Sequence, residues 1–161
     1  MIREVTGDIL LTDADVIAHG VAPNDHFEQG LALSLRERWP AMYKDFRHNM
    51  HTSHPKEGGA VYWGGADGVR VVHLLTQEHA QGDHGHPGKA KTKYVNKSLK
   101  DLRSWMDKES AKSVALPALA TGVGGLDWSE VKPMIDKHLG DADFDVYLYV
   151  EYHKGQKAKE N

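Results

Sequence analysis

The sequence predicts an α/β domain in which helices cover both faces of a mixed sheet. Short apolar runs typical of buried strands are mixed with stretches of helical spacing, and the strand–helix alternation is clearest in the last third of the chain. With 161 residues, the chain is long enough for one domain with a hydrophobic core. We expect that domain to cover residues 1–152, and we expect residues 153–161 to form a polar, flexible tail.

The first half of the chain alternates between strand and helix signals. Apolar residues from Val16 to His19 predict a central strand, and Pro40 separates two helical stretches. Leu31 and Leu35 lie four residues apart, on one face of the first of these helices. The predicted elements are strands at 1–5 and 16–19, helices at 30–39 and 41–48, and a polar loop at 49–58.

The second half opens with two strand candidates, at 60–63 and 69–75, which flank a glycine-rich loop and predict an antiparallel hairpin. An amphipathic helix is predicted at 94–107. The remaining predicted elements are a strand at 113–116, a helix ending near Leu139 and a strand at 144–152. The last helix has two candidate caps, Asp127 and Ser129, and the spacing does not choose between them.

Composition limits the function classes. The net charge of −3 argues against a general nucleic-acid-binding domain, which needs a basic face. The absence of cysteine excludes a disulfide framework, a thiolate nucleophile and a cysteine zinc site. The first residues do not resemble a signal peptide, and no apolar run reaches membrane-spanning length. We therefore expect a cytoplasmic protein with no membrane partner.

The stretch from Leu116 to Glu130 joins a buried strand to a helix through three glycines in four residues. Glycines let the backbone approach a ligand, and the free amides of a first helical turn favour an anion. A diphosphate would suit such a site. The alternative interpretation is an ordinary tight connection between strand and helix.

Four segments follow predicted strands: 7–9, 20–30, 76–79 and the glycine stretch. In α/β sheets, ligands bind outside the carboxyl ends of the strands, so we expect these segments to converge. Gly30 opens one helix, and the glycine stretch precedes another. Two helix starts facing each other would suit a diphosphate-linked ligand better than a single phosphate.

The sequence resembles a macrodomain over nearly its whole length. The resemblance rests on Val5-Thr6-Gly7-Asp8-Ile9-Leu10, on Val16-Ile17-Ala18-His19, on Gly30-Leu31-Ala32, and on the segment from Leu116 to Trp128. It is nearest to the branch that contains the terminal ADP-ribose glycohydrolases, the DNA ADP-ribose glycohydrolase antitoxins and the ADP-ribose 1''-phosphate phosphatases. The resemblance implies a three-layer α/β/α fold with a mixed central sheet.

The resemblance also implies roles for particular residues. Asp8 would accept a hydrogen bond from the adenine amino group beside the amide of Ile9, although without the resemblance a turn residue is the better interpretation of Asp8. His19 would be catalytic, as in the phosphatase-like members, although a lone histidine at a strand end is more often a satisfied core group. The residues implied for the first loop are Glu28, Gln29, Gly30 and Leu31. Those implied to cradle the diphosphate are Thr121, Gly122, Val123, Gly124 and Gly125.

Several positions depart from the family pattern. Many macrodomains carry an asparagine where this chain has Ala22, and Asn24 is expected to substitute for it near the distal ribose. The terminal glycohydrolases use a lysine at the position of Gln77 and a catalytic aspartate at that of Gly125. Without that lysine, an amine adduct with the ribose cannot form here.

Two histidine groups raise the question of a metal. His48, His51 and His54 are spaced by three, and a polar loop carries a second set: His79, Asp83, His84 and His86. Neither group has a recognised zinc-binding frame, so we predict no metal site and no cofactor. A basic run at Lys89, Lys91, Lys93 and Lys97 is a solvated face, or it contacts nucleic acid that carries ADP-ribose.

The sequence thus predicts a domain that binds ADP-ribose or a derivative and hydrolyses a group at its distal ribose. The substrate would be ADP-ribose 1''-phosphate, or ADP-ribose attached to protein or nucleic acid. The alternatives are a non-catalytic reader of ADP-ribose and a module for a related nucleotide.

Overall fold

The computed structural model describes residues 1–80 and 85–161. Within these residues, six strands form one sheet: β1 (Ile2–Gly7), β2 (Val16–Val21), β3 (Ala60–Gly64), β4 (Arg70–Leu75), β5 (Ser113–Pro117) and β6 (Asp145–Tyr152). Four helices of the same described ranges pack on it: α1 (Gly30–Arg38), α2 (Pro40–Ser53), α3 (Thr92–Glu109) and α4 (Trp128–Leu139). A short 3-10 turn, Ile9–Leu11, follows β1.

The sheet is mixed, with strand order β1-β6-β5-β2-β4-β3. All neighbouring strands are parallel except β3 and β4, which form the expected antiparallel hairpin. Because β1, β2, β4 and β5 run in the same direction, the segments that follow them meet at one edge of the sheet. The convergence predicted from the sequence is therefore confirmed.

The helices cover both faces of the sheet, which gives the predicted three layers. On one face, Leu99 and Leu102 of α3 and Ile135 of α4 belong to one buried cluster. On the other face, α1 and α2 bury Leu35 and Phe46 in a second cluster. Burial of these apolar stripes stabilises the layers.

Helix α2 is longer than the sequence predicted. The helix continues to Ser53, whereas a loop was expected from residue 49. Met42, Phe46 and Met50 are all buried at spacings of four residues, so the apolar stripe continues through the predicted loop. His54 then ends the helix in the left-handed conformation.

Residues 153–161 differ from the flexible tail that their composition suggested. The carboxylate of Glu160 accepts hydrogen bonds from the hydroxyls of Thr12 and Tyr149, both at 2.5 Å. Ala158 packs into the cluster beneath α1 and α2. The polar composition of this segment does not reveal these contacts, because one partner of Glu160, Thr12, lies 148 positions earlier in the chain.

Helix α4 begins at Trp128 with Asp127 at the N-cap position, which decides between the two candidate caps. The Asp127 side chain makes no capping hydrogen bond. Pro133 lies inside the helix, where its missing N–H removes one backbone hydrogen bond. No helix among the described residues is long and apolar enough to cross a membrane.

Candidate functional site

Two adjoining cavities open along the carboxyl edge of the sheet. The first, of about 380 Å³, lies between the loops that follow β2, β4 and β5, and we call it the loop cavity. The second, of about 370 Å³, lies beside Ile9 and Tyr149, and we call it the apolar cavity. Gly30, Leu31 and Pro117 line both, so the cavities are two ends of one elongated groove.

The N-terminus of α1 stands at the junction of the two cavities. The helix begins at Gly30, whose φ of +63° is a left-handed conformation that favours glycine. Gln29 makes no side-chain capping bond, and the first amides of a helix have no partner within it. Leu31 and Ala32 also line the loop cavity, so the positive end of the helix faces this groove.

The glycine loop forms the opposite wall. The carbonyls of Ala120 and Gly122 accept hydrogen bonds from Leu126 and Gly125, within the loop and its exit. The Gly124 carbonyl accepts from Ala90. Within residues 1–80 and 85–161, the backbone amides of 121–124 have no such partner, so these donors remain available to an anion.

Gly124 lets this loop pack tightly. A Cβ atom at this position would lie 2.6 Å from the carbonyl oxygen of Ala120 and 2.9 Å from the Cβ of Ala90. Any side chain would therefore displace the loop, which explains the glycine.

Only part of the predicted glycine stretch lines the groove. Gly122, Val123 and Gly124 line the loop cavity, whereas Thr121 and Gly125 do not. Helix α4 begins only at Trp128 and does not line the groove. The amides that the glycine stretch brings to the groove thus belong to the loop itself rather than to the N-terminus of α4.

His19 lies in the floor of the loop cavity, 2 % exposed. Its Nε2 is 2.7 Å from Nδ1 of His73, a neighbour on β4 in direct register. Burial lowers the pKa of His19 to about 3, and burial together with His19 lowers that of His73 well below its usual value. Both rings are therefore neutral at physiological pH.

Asp25 and His26 also line the loop cavity. The Asp25 carboxylate accepts hydrogen bonds from the amides of Ala22 (3.0 Å) and Phe27 (2.8 Å). Burial raises the pKa of Asp25, although these two amides act in the opposite direction. Asp25 was not among the site residues predicted from the sequence. The pattern that could have indicated it is an aspartate two residues before an aromatic residue, in the loop that follows a central strand, because such an aspartate can accept a hydrogen bond from the backbone two residues on.

Asn24 is placed away from the groove. Its side-chain oxygen accepts a hydrogen bond of 2.7 Å from Arg47, and it does not line either cavity. The structure therefore does not bring Asn24 together with Glu28, Gln29 and His19, all of which do line the loop cavity.

Asp8 is buried at the end of the groove that carries the apolar cavity. Its carboxylate accepts from the amide of Leu10 at 3.0 Å and from the amide of Gly155 at 2.9 Å. Its neighbours Gly7 and Ile9 line the apolar cavity, although Asp8 itself does not. The tail thus fixes the orientation of this carboxylate.

The position of the family lysine is occupied by a tethered amide. Gln77 lines the loop cavity, and its Nε2 donates to the carbonyl of Gly88 at 3.1 Å. Lys91, a cation further along this segment, pairs with Glu78, with 2.6 Å between Nζ and Oε1.

The first histidine group, His48, His51 and His54, is exposed along and just after α2. In the second group, Asp83 and His84 lie outside the described residues. Among the residues that the structure describes, no three His, Asp or Glu side chains are close enough to hold a metal ion.

Comparison with known proteins identifies the fold family. The family model described as "Macro domain" matches residues 22–135, more than half of the chain. The chain belongs to this family. The macrodomain predicted from Asp8, His19, Gly30 and the glycine loop is therefore confirmed.

Two curated relatives are DNA ADP-ribosyl glycohydrolases. The one from Thermus aquaticus is 29 % identical over 142 residues, and the one from Mycobacterium tuberculosis is 27 % identical over 153 residues. The alignments cover 86 % and 91 % of this chain but only 38 % and 42 % of those proteins. This macrodomain thus corresponds to less than half of each relative.

A solved structure, the macrodomain of Thermus aquaticus DarG, has the same fold. The TM-score is 0.82 at 25 % identity, and the match covers 93 % of this chain and 98 % of the other. The six-stranded, three-layer architecture is thus shared with the macrodomain of Thermus aquaticus DarG.

Proposed function

We propose that this macrodomain binds ADP-ribose or a derivative and hydrolyses a group attached to the distal ribose. The observation that carries the proposal is the continuous groove, which joins an apolar cavity to a cavity lined by Gly122, Val123 and Gly124. The backbone amides of these three residues have no backbone partner among the residues that the structure describes. A ligand with a planar base at one end and a diphosphate in its middle matches this order of surfaces.

Adenine is assigned to the apolar cavity. The ring would lie against Ile9 and Leu31, which offer apolar surface. Each oxygen of Asp8 already accepts one backbone amide, and a carboxylate has about four acceptor sites. Asp8 therefore retains the capacity to accept a hydrogen bond from the adenine amino group.

The diphosphate is assigned to the gap between the two loops. The amides at the start of α1, from Gly30 to Ala32, would face it from one side, and those of 122–124 would face it from the other. Backbone amides suit an anion here because they add no competing charge and are already oriented.

The distal ribose is assigned to the deep end of the loop cavity, among His19, Asp25 and Gln77. Hydrolysis at this ribose needs a water as nucleophile and a proton for the leaving oxygen. Asp25 and His19 are the groups that would serve these steps, with Glu28 at the rim. Gln77 and Gly125 replace the lysine and aspartate of the terminal glycohydrolases, so we propose direct hydrolysis without an amine adduct.

A non-catalytic reader is the second candidate. The observation that favours it is the tethering of two of the polar groups at the ribose end: Gln77 donates to Gly88, and Asp25 accepts from two backbone amides. Groups held in this way could bind a ribose without activating a water.

The substrate class is part of the proposal. Two relatives are named for activity on ADP-ribosylated DNA, which supports ADP-ribose attached to a macromolecule as substrate. ADP-ribosylated protein and ADP-ribose 1''-phosphate are the competing substrates. We place the activity in the cytoplasm, as expected from the sequence.

A substrate panel tests the proposal. The wild-type protein is incubated with ADP-ribose 1''-phosphate, ADP-ribosylated DNA and ADP-ribosylated protein, and the product is measured by chromatography. We expect release of ADP-ribose from at least one substrate and its reduction in Asp25→Asn. The control is His51→Ala, an exposed histidine far from the groove. Binding of ADP-ribose without turnover of any substrate would leave the reader as the function.

A further inference from the structure

His19 and His73 form a buried pair whose geometry restricts where their protons lie. The parallel register of β2 and β4 places the two residues side by side, and the Nε2 of His19 is 2.7 Å from the Nδ1 of His73. At this distance one nitrogen carries the shared proton and the other accepts it. His73 was not among the functional residues expected from the sequence.

The far side of His73 is closed by aromatic rings. Phe46 contacts the ring edge to face at 5.0 Å between centroids, and Phe27 lies at 5.5 Å. The Nε2 of His73 is buried and has no hydrogen-bond partner in the described part of the chain. We therefore call Nε2 of His73 the closed nitrogen of the pair, because it is buried and makes no hydrogen bond within the described residues.

Two proton arrangements are compatible with two neutral rings. In the first, His73 carries its proton on the closed Nε2, and His19 donates through its own Nε2. In the second, His73 donates through Nδ1, its closed Nε2 is a bare acceptor, and His19 carries its proton on Nδ1. The first leaves a buried N–H without an acceptor, which is rarer in folded proteins than an unsatisfied acceptor.

The second arrangement determines what His19 offers to the loop cavity. Nε2 of His19 is taken by His73, so Nδ1 is the ring nitrogen left for a ligand in the cavity that His19 lines. With the proton on Nδ1, this atom is a hydrogen-bond donor. Desolvation keeps the ring uncharged, so the donation requires no protonation step.

We propose that His73 is a positioning residue that holds His19 in the Nδ1–H tautomer, so that His19 presents a neutral hydrogen-bond donor to an oxygen of the bound ligand. The ligand part of this inference rests on the proposed function, with the distal ribose and its substituent supplying the oxygen. The tautomer part stands on the geometry of the pair alone.

The tautomer is measured in the ligand-free wild-type protein by two-bond ¹H–¹⁵N correlation spectra of its histidines. We expect a pyrrole-type Nδ1 and a pyridine-type Nε2 for His19, and a pyridine-type Nε2 for His73. A pyrrole-type Nε2 on His19 would overturn the proposal. This readout needs neither ligand nor turnover, so it is independent of whether the protein binds ADP-ribose.

Two variants then test the effect on function. His73→Asn keeps a side-chain amide at the position of Nδ1, whereas His73→Leu fills similar space without a donor. We expect His73→Leu to shift the NMR signals of His19 and to lower the affinity for ADP-ribose or the turnover about tenfold. We expect His73→Asn to keep most of the wild-type affinity and turnover. Equal loss in the two variants would mean that His73 contributes packing only. The control is His51→Leu on the exposed face of α2.

Discussion

Lowering the pH from 7 to 5 should destabilise this protein through its two buried imidazoles. Burial lowers the pKa of His19 to about 3 and that of His73 well below 6.5, so both stay neutral in the folded state. In the unfolded chain both take up protons below a pKa of about 6.5. Because the unfolded state then binds more protons, the free energy of unfolding falls as the pH falls. Between pH 7 and 5, each imidazole lowers the free energy of unfolding by about 2 kcal/mol, and the pair lowers it by about 4 kcal/mol.

The assay is urea denaturation of wild type and His73→Leu at both pH values. The variant lacks one of the two imidazoles. Its free energy of unfolding should therefore fall by about 2 kcal/mol less than that of wild type between pH 7 and 5. Asp25, whose pKa is raised by burial, acts in the opposite direction, but it is present in both proteins and cancels in the comparison. His51→Leu, a control at an exposed position, should lose as much free energy of unfolding as wild type between the two pH values.

The reasoning is refuted if wild type and His73→Leu lose the same free energy of unfolding between the two pH values. Equal losses would mean that His73 takes up its proton in the folded state as readily as in the unfolded chain. The buried, neutral pair would then not exist in solution.

Two further predictions concern the glycine loop and the tail. Gly124→Ala should lower stability by about 1–3 kcal/mol, since its Cβ would overlap the loop backbone. Gly122→Ala, with no atom within 4 Å of the added Cβ, should melt at the wild-type temperature, and equal melting of the two variants would contradict the packing argument. Glu160→Ala should lower the free energy of unfolding, measured by thermal denaturation, by about 1–3 kcal/mol because it removes the acceptor of the buried Tyr149 hydroxyl. Glu151→Ala, an exposed glutamate, should change stability by less than about 0.5 kcal/mol, and a similar small effect at Glu160 would favour a flexible tail.

The layers and the edge of the sheet that carries the groove were predictable from the sequence because they depend on local patterns. Apolar runs mark β2 and β5, and helical spacing marks α3. Since ligands bind at the carboxyl ends of the strands in such sheets, the sequence also predicts that Gly30 and the glycine loop lie close together. Each of these inferences uses neighbours within about ten residues.

The misses involve contacts between distant segments. His73 stands alone as a polar residue in the apolar run of β4, but only the register with β2 reveals that its partner is His19. Asn24 was expected to face the ribose end, but Arg47 of α2 holds its side chain. The carboxylate of Glu160 accepts a hydrogen bond from Thr12, which lies 148 positions earlier in the chain.

Titration calorimetry with ADP-ribose tests the central claim most directly, because every assignment in the groove depends on this ligand. We predict saturable binding at one site per chain, with AMP weaker by at least about tenfold since it lacks the second phosphate and the distal ribose. Asp8→Asn should weaken ADP-ribose and AMP by the same factor. The absence of heat at millimolar ADP-ribose would contradict the account.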